Sequence, residues 1–304
     1  MKINTVKAPI GGLGDRRFGA GKGVKYMLIS TFCFSAMQSL VKYLPEIPIF
    51  EHIFFRSVIG WILCIIILKK DKVSIIGKNN KMLIFRGLVG SMSMFSFFYL
   101  LSKIPFGTAV AFKYLSPVFT SILAVLILKE KLKSLQWFYL MLSFSGILLL
   151  KGFDPRITFF DLGVGLMAAF SGGLLFIIIR KIGEDDHHLV ILHYFMFIST
   201  VISGAASINN WVTPNFNQSL LILLIGLIGF VAQNFFTISI QQKDNVSLLS
   251  MLRYTEAIYA IIIGYFIFAE TYSFTSVLGM LMIFLGVILT MRMKRKESKV
   301  ETSQ

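Results

Sequence analysis

Ten apolar runs divide the sequence and constrain the fold more than any other feature. Most of them are close to the roughly 20 residues that a helix needs to cross the hydrocarbon core of a bilayer. Only 15% of the 304 residues are charged and 56% are hydrophobic, whereas about a quarter of the residues in a soluble domain are charged. The sequence therefore predicts an all-α integral membrane protein with ten transmembrane helices. The runs cover residues 26–44, 50–68, 83–102, 106–128, 135–150, 162–179, 189–208, 218–240, 246–268 and 274–291.

The fourth and fifth runs recur in altered form 140 positions later. Lys113 and Tyr114 correspond to Arg253 and Tyr254, so both copies carry a base and a tyrosine inside an apolar run. Further pairs at the same offset are Ile127 with Ile267, Glu130 with Glu270, and Gly146 with Gly286. The chain is therefore predicted to be a duplicated unit. The duplication also supports the short fifth run, because its counterpart in the second copy is longer.

Each copy holds five spans, and an odd number of crossings inserts the second copy in the opposite sense to the first. The predicted repeats are therefore inverted, as in many secondary transporters, where substrate binds near the bilayer midplane between the halves. Residues 25–151 form the first predicted repeat and residues 161–291 the second. Residues 1–24 lack the apolar core of a cleavable signal and are predicted to form a flexible tail, and residues 292–304 are predicted to form a basic tail.

The distribution of basic residues predicts the orientation of the chain. With the N-terminus inside, the inner tails and loops hold 22 of the 30 Lys and Arg residues, the outer loops hold three and the spans hold five. This asymmetry follows the positive-inside rule, so both termini are predicted to lie in the cytoplasm and the protein in the cytoplasmic (inner) membrane. The formal net charge of +15 is then a consequence of topology, and the lipid bilayer, not nucleic acid, is the expected partner.

Charged residues at membrane depth mark the predicted substrate site, because a charge at the centre of a span costs about 2.5 to 3.5 kcal/mol on insertion scales. At a rise of about 1.5 Å per residue, Lys113 lies roughly 11 Å from the outer end of its span and Arg253 roughly 11 Å from the inner end of its own. Glu256 follows Arg253 by three residues, on the same helical face, where the two can pair. Lys113 has no such partner. We expect these groups to converge and bind a substrate with carboxylate, phosphate or amine groups.

Each of these groups also has a structural interpretation. Arg253 with Glu256 is compatible with an internal ion pair between helices, and Lys113 with snorkelling toward the outer headgroups. Glu256 is also a candidate for carrying a coupling proton. Three nearby tyrosines are predicted to add stacking or hydrogen bonds to a ligand. They are Tyr114, Tyr254 and Tyr259.

Other polar residues within the spans are further candidates. His52 and Arg56 lie four residues apart on one helical face and are predicted to form either a gate or a packing cluster. Pro117 lies near the centre of the fourth span and predicts a hinge, because proline removes a helical hydrogen bond. Amides predicted either to line the cavity or to hydrogen-bond between helices are Gln38, Gln233 and Asn234.

Several motifs resemble the EamA branch of the drug/metabolite transporter superfamily. They are Arg56 within Phe-Phe-Arg-Ser, the run Pro-Phe-Gly-Thr-Ala-Val-Ala-Phe at residues 105–112, and Glu130 and Glu270 at the ends of the fourth and ninth spans. The resemblance covers about residues 24–291 and implies a bundle in which both repeats surround a central cavity. Lys129 and Ala269 stand where the family usually has glycine. We expect the glutamate after each of them to act in gating or in structure.

The ninth span also resembles the S-adenosylmethionine uptake subgroup of this family. The shared patterns are Arg-Tyr-x-Glu at residues 253–256 and Tyr-Phe-Ile-Phe-x-Glu at residues 265–270. A single helix carries this resemblance, so it suggests a substrate without assigning one.

Together these features predict a secondary transporter that moves a small polar or amphipathic metabolite by alternating access. Import and export, ion coupling, exchange and facilitated diffusion are all compatible with the residues, as is any oligomeric state. A structural or sensory membrane subunit is one alternative. An intramembrane enzyme is the other, but the sequence contains no His-Glu-x-x-His, no Gly-x-Ser-x-Gly and no paired aspartates in the spans.

No cofactor or metal is predicted. The glycine-rich residues 19–23 lack the Walker pattern of an ATP site. Residues 184–188, Glu-Asp-Asp-His-His, contain groups that can bind transition metals, but their position between the sixth and seventh spans favours a solvated connecting loop.

Overall fold

Helices form nearly all of the protein that the computed structural model describes, namely residues 22–128, 134–153, 156–182, 186–241, 252–253 and 255–301. These residues contain no strand, so the predicted all-α class is confirmed. In chain order the helices are α1 (Lys22–Tyr43), α2 (Ile49–Lys70), α3 (Asn80–Lys103), α4 (Phe106–Lys113), α5 (Ser116–Leu128), α6 (Ser134–Phe153), α7 (Phe159–Ile182), α8 (His188–Ser207), α9 (Phe216–Gln241), α10 (Thr255–Phe268) and α11 (Phe274–Glu301). A 3-10 turn, Ile208–Asn210, follows α8.

Long apolar helices make this a multi-pass membrane protein. Within the described residues, those long and apolar enough to cross a bilayer are Gly23–Tyr43, Ile49–Lys70, Asn80–Lys103, Phe159–Ile179, His188–Asn210 and Phe216–Ile240. Large apolar side chains are exposed on the outside of the bundle, as contact with lipid requires. Examples are Phe32, Ile66, Leu126, Phe160, Leu220 and Phe266. The remaining four of the ten predicted spans stay a prediction, because their helices are shorter or only partly described.

The fourth predicted span is interrupted, which corrects the expectation of one continuous helix. α4 ends at Lys113 and α5 begins at Ser116. The turn between them is tightened by i→i+3 bonds, such as that from the Tyr114 N–H to the carbonyl of Ala111 at 3.1 Å. Pro117 is the second residue of α5, and in the first turn of a helix a proline has no helical hydrogen bond to lose. The interruption therefore precedes Pro117, whose role as a hinge stays a prediction.

Helices of the two predicted repeats pack against each other in a reciprocal pattern. α1 packs on α9, while its counterpart α7 packs on α3. The contact of α2 with α9 is likewise matched by that of α8 with α3. Equivalent helices also meet directly, α2 with α8 and α6 with α11. This packing brings both repeats to one central region.

The contact between α6 and α11 is close because small residues face it from both sides. A Cβ atom at Gly146 would lie 2.6 Å from the carbonyl oxygen of Gly279, and one at Gly286 would lie 2.5 Å from that of Tyr139. Neither position leaves room for a side chain, and small residues are common where membrane helices approach closely. Both the glycines and the residues that they meet are related by the offset of 140, so the duplication recurs in the packing.

The acidic and histidine-containing loop before α8 contributes structural hydrogen bonds. Asp186 Oδ1 accepts the backbone N–H of Lys78 at 2.7 Å. His187 Nδ1 accepts the N–H of Leu189 at 3.3 Å and so caps the start of α8. The preceding residues 183–185 lie outside the described part of the chain.

Candidate functional site

A cavity of about 110 Å³ lies where the two predicted repeats meet. The first repeat contributes α1 to α5 to its walls, and the second contributes α7, α8, α9 and the turn before α10. A cavity of this size holds several water molecules or a polar part of a ligand. Basic side chains reach it from both halves of the molecule. They are Arg56, Arg86, Lys113 and Arg253.

An ion pair between the repeats lies at this cavity. Lys113 Nζ is 2.6 Å from Glu256 Oε1, and Gln38 Nε2 donates a hydrogen bond to the same oxygen at 2.8 Å. Lys113 is the last residue of α4 and Glu256 is the second residue of α10. Each charge therefore sits at the helix end whose dipole favours it, the cation at a C-terminus and the anion at an N-terminus. Glu256 is fully buried.

This geometry gives Lys113 a partner that the sequence did not predict. We expected Arg253 and Glu256 on one face of a continuous helix, and Lys113 without a partner in its span. Arg253 lies instead in the turn that precedes α10, where its carbonyl accepts the Glu256 N–H at 3.1 Å. Lys113 is paired, and its partner is 143 positions away. A search for partners within one span could not have found this contact.

Each basic group of the cavity lies over the ring of at least one phenylalanine. The charged group of Lys113 lies 5.1 Å from the ring centroid of Phe34 and 4.8 Å from that of Phe97. The corresponding distances are 4.7 Å from Arg253 to Phe236, 4.4 Å from Arg86 to Phe195 and 5.7 Å from Arg56 to Phe98. Contacts of this kind offset part of the lost hydration of a buried cation. The chain contains 30 phenylalanines, so the sequence alone does not indicate which of them contact these cations.

Arg86 is a site residue that the sequence interpretation missed. It is fully buried, and its Nε, Nη1 and Nη2 atoms have no hydrogen-bond partner among the described residues. Arg56 is similar, since its Nη1 contacts the sulfur of Met94 and its Nε has no partner in the described chain. The available signal was that Arg86 lies within an apolar run that contains no acidic residue.

The predicted amides divide between the cavity and its surroundings. Gln38 and Gln233 line the cavity. Asn234 is half-buried beside Gln233 on α9 but is not among the residues that line the cavity.

Neither Tyr114 nor Tyr259 is among the residues that line the cavity. Tyr114 is buried, and its hydroxyl donates a hydrogen bond to the carbonyl of Arg253 at 2.5 Å. It thus joins the interrupted fourth span to the turn before α10. Tyr259 packs edge-on against Phe32, with 5.9 Å between ring centroids. Tyr254 lies outside the described residues.

A second ion pair joins the ends of α1 and α10. Lys42 Nζ lies 2.7 Å from Glu270 Oε1 and donates to the carbonyl of Ile104 at 3.0 Å. The Phe106 N–H, at the start of α4, lies 2.9 Å from both carboxylate oxygens of Glu270. The hydroxyl of Tyr272 donates to Oε2 at 2.6 Å. Both oxygens of the Glu270 carboxylate therefore have partners.

The turn that carries Glu270 has an unusual backbone. Ala269 has a φ of +48°, a conformation that glycine adopts without cost and that other residues rarely adopt. This backbone conformation explains why glycine is expected at this position from the family resemblance. Burial and the hydrogen bond from Tyr272 to Glu270 raise the pKa of the Tyr272 phenol, which keeps it protonated as a donor. The equivalent glutamate, Glu130, lies outside the described residues.

His52 and Arg56, which lie on one face of α2, have different surroundings in the structure. His52 is buried, and its Nε2 hydrogen-bonds to the carbonyl of Leu44 at 3.0 Å. Its neighbour Glu51 accepts the N–H of Val212 at 2.5 Å. These contacts tie α2 to adjacent loops, whereas Arg56, one turn further along, faces the cavity.

The fold and the site define a helical, multi-pass membrane protein with a cavity of basic, amide and aromatic side chains between two duplicated halves. The chain belongs to the EamA-like transporter family, whose sequence profile matches residues 21–151 and again residues 161–292. The two matches agree with the two predicted repeats.

Several proteins are similar to this chain over most of their length. The pseudopaline exporter of Pseudomonas aeruginosa is 25% identical over 276 residues, which cover 90% of this chain and 97% of the exporter. An S-adenosylmethionine uptake transporter of Rickettsia bellii is 28% identical over 255 residues, covering 82% and 86% of the two chains. A solved crystal structure shares the fold with a TM-score of 0.60 at 17% identity, and the match covers 90% of this chain and 96% of that one.

Proposed function

We propose that this protein is a secondary transporter that carries a small polar or amphipathic metabolite across the cytoplasmic membrane by alternating access. The substrate binds in the cavity between the repeats, at the ion pair of Lys113 with Glu256. The observation that carries this proposal is that the two charges come from different repeats, and that Lys113 and Gln38, which both contact Glu256, line a cavity between the repeats. A relative motion of the repeats would then act directly on the bound substrate.

The interrupted helices support a binding role for this region. Secondary transporters commonly bind substrate where transmembrane helices are discontinuous, because the exposed helix ends provide charge and free backbone groups. Here α4 ends at Lys113, and Arg253 lies in a turn just before α10. Both interruptions fall at the cavity, and they occupy equivalent positions of the duplicated sequence.

The proposed topology has ten transmembrane helices in two inverted repeats, with both termini in the cytoplasm. Five spans per repeat and the excess of basic residues in the inner segments support it. The reciprocal packing of α1 on α9 and α7 on α3 is what a pseudo-twofold relation between the repeats requires.

In this topology Lys42 and Glu270 lie at the outer end of the cavity, and we propose that their ion pair closes that end. The pair joins α1, the start of α4 and the turn after α10, which are elements of both repeats. Breaking it would let the repeats separate on the outer side. The conformation described here is then closed to the outside.

The substrate is proposed to be a small molecule, in keeping with the relatives. One relative is named as a pseudopaline exporter and another as an S-adenosylmethionine uptake transporter. The two names differ in both direction and cargo, so membership of the family leaves both open for this chain.

Transport by the purified protein in liposomes tests the proposal. Radiolabelled S-adenosylmethionine, amino acids, organic phosphates and di- and tricarboxylates form the panel. We expect saturable uptake of at least one of them, absent from protein-free liposomes. Uptake of none would favour a structural or sensory role instead.

A further inference from the structure

The cavity has an excess of positive charge. Four cations line it, Arg56, Arg86, Lys113 and Arg253. Lys113 is paired with Glu256, which also accepts a hydrogen bond from Gln38. Neither Arg56 nor Arg86 takes part in an ion pair with a described residue.

Burying a guanidinium group without an anion is strongly unfavourable, because water is removed and nothing of opposite charge replaces it. Arg86 and Arg56 are 0% and 3% exposed. The rings of Phe195 and Phe98 supply a partial replacement. Binding of an anion to such a residue is favourable, because it restores a partner of opposite charge. A planar guanidinium matches the geometry of carboxylate and phosphate groups.

The two arginines are also separated along the cavity. A Cβ atom at Gly90 would lie 3.3 Å from Nη1 of Arg86, so this guanidinium lies beside Gly90, whereas that of Arg56 contacts Met94. The four residues from Gly90 to Met94 on α3 correspond to about 6 Å along a helix. The positive charge therefore extends along the cavity wall and is not confined to one point.

We propose that Arg56 and Arg86 bind the acidic groups of the substrate, and that the substrate is a small organic anion carrying carboxylate or phosphate groups. This inference rests on the proposed function, since it assigns the substrate class of the same cavity. Lys113 and Glu256 then hold the remaining polar groups of the substrate. A ligand with a net positive charge would face repulsion from the buried guanidinium groups of Arg56 and Arg86.

Thermal unfolding of the purified protein tests the inference without requiring transport. Citrate, glutamate and glycerol 3-phosphate are compared with lysine and putrescine at equal ionic strength. We expect at least one of the anions to raise the unfolding temperature by several degrees, because a ligand that binds the folded state stabilises it, and neither cation to do so. No shift with any of the anions, or a shift with the cations alone, would overturn the proposal.

Variants of Arg86 separate anion binding from a structural role. Arg86→Met removes an uncompensated buried charge, so the ligand-free protein should unfold at the same or a higher temperature. Its affinity for the stabilising anion should fall by about 10- to 100-fold, and Arg86→Lys should recover part of it. Arg56→Met should also weaken anion binding. Lys81→Met, which removes an exposed cation from the same helix, should keep the full shift.

A structural role predicts the opposite result, in which Arg86→Met unfolds at a lower temperature but keeps the anion-induced shift. The two proposals also fail in different ways. If the liposomes carry a cationic or neutral metabolite and the anions do not bind, the transporter stands and the anion inference is wrong. If anions bind through Arg86 but no panel member is transported, the anion site stands and the transport proposal is wrong.

Discussion

The two lysine–glutamate ion pairs differ in how completely their hydrogen bonds are satisfied. At the end of the bundle, both oxygens of Glu270 have partners from Lys42, Tyr272 or the backbone of Phe106. In the cavity, Glu256 Oε1 binds Lys113 and Gln38. Glu256 Oε2 and Gln38 Oε1 have no hydrogen-bond partner in the described residues. The charge separations are nearly equal, at 2.7 and 2.6 Å.

This difference distinguishes a contact that holds the fold from one that is available to a ligand. A carboxylate whose two oxygens both accept hydrogen bonds is stabilised little by a further donor. A buried oxygen without a hydrogen bond is energetically costly, so a donor that reaches it is bound favourably. We therefore assign closure to the pair at Glu270 and substrate contact to the pair at Glu256. Substitutions that act differently on the two ion pairs test this assignment.

The largest effect is expected for Glu256→Ala. Removing one partner of a buried ion pair leaves the other charge uncompensated, which costs about 3 to 5 kcal/mol. Thermal unfolding in detergent should show this loss, and transport should be abolished. The double variant Lys113→Met with Glu256→Met removes both charges, so it should regain most of the stability without regaining transport. If the double variant transports at the wild-type rate, the cavity pair is structural.

A smaller effect is expected for Glu270→Gln. The amide keeps the size of the side chain but loses the charge that pairs with Lys42 and caps α4, at a cost of about 2 kcal/mol. Substrate affinity should stay near the wild-type value, because the site of substrate contact is intact, while the maximal transport rate should change. Concentration-dependent uptake separates the two quantities. A loss of affinity with an unchanged maximal rate would reverse the assignment of the two pairs.

Gln38→Met tests the polar support of the cavity pair. The substitution keeps the volume of the side chain and removes one hydrogen bond to a charged oxygen, worth about 1.5 to 3 kcal/mol. We expect weaker substrate binding together with a modest loss of stability, both measurable with the same purified protein. Unchanged binding would show that Gln38 does not support the substrate site.

The smallest effect is a gain in stability from Ala269→Gly. The φ of +48° at Ala269 costs a residue with a Cβ atom roughly 1 to 2 kcal/mol relative to glycine, so the glycine variant should unfold at a higher temperature. Ala205→Gly, at an exposed position of α8, should have the opposite sign because glycine weakens a helix. A destabilised Ala269→Gly protein would contradict the strain at this turn.

The features that the sequence predicted correctly are those that arise from local composition. Hydrophobic runs of helical length are set by the bilayer, so the helical membrane class followed from the sequence alone. The offset of 140 drew attention to Lys113 and Arg253, and the cavity is lined by both. A charge in an apolar run is a signal that one sequence can show.

The features that were missed depend on tertiary contacts. The pairing of Lys113 with Glu256 joins residues 143 positions apart, and it depends on how α4 and α10 approach each other. The interruption at Tyr114 falls inside a run that is long enough for one continuous span, and the periodicity of its apolar residues gives no sign of the break. Arg86 lies in an apolar run of the sequence, but its place in the cavity wall becomes visible only when α3 is packed against the other helices.

Transport by Lys113 variants tests whether the substrate binds at the ion pair between the repeats. Lys113→Met, the double variant with Glu256→Met and the control Lys81→Met would be reconstituted in liposomes with a transported member of the metabolite panel. If the substrate binds at this ion pair, the double variant is folded but does not transport, Lys113→Met does not transport, and Lys81→Met transports at the wild-type rate. Wild-type uptake by a folded Lys113→Met protein would contradict it.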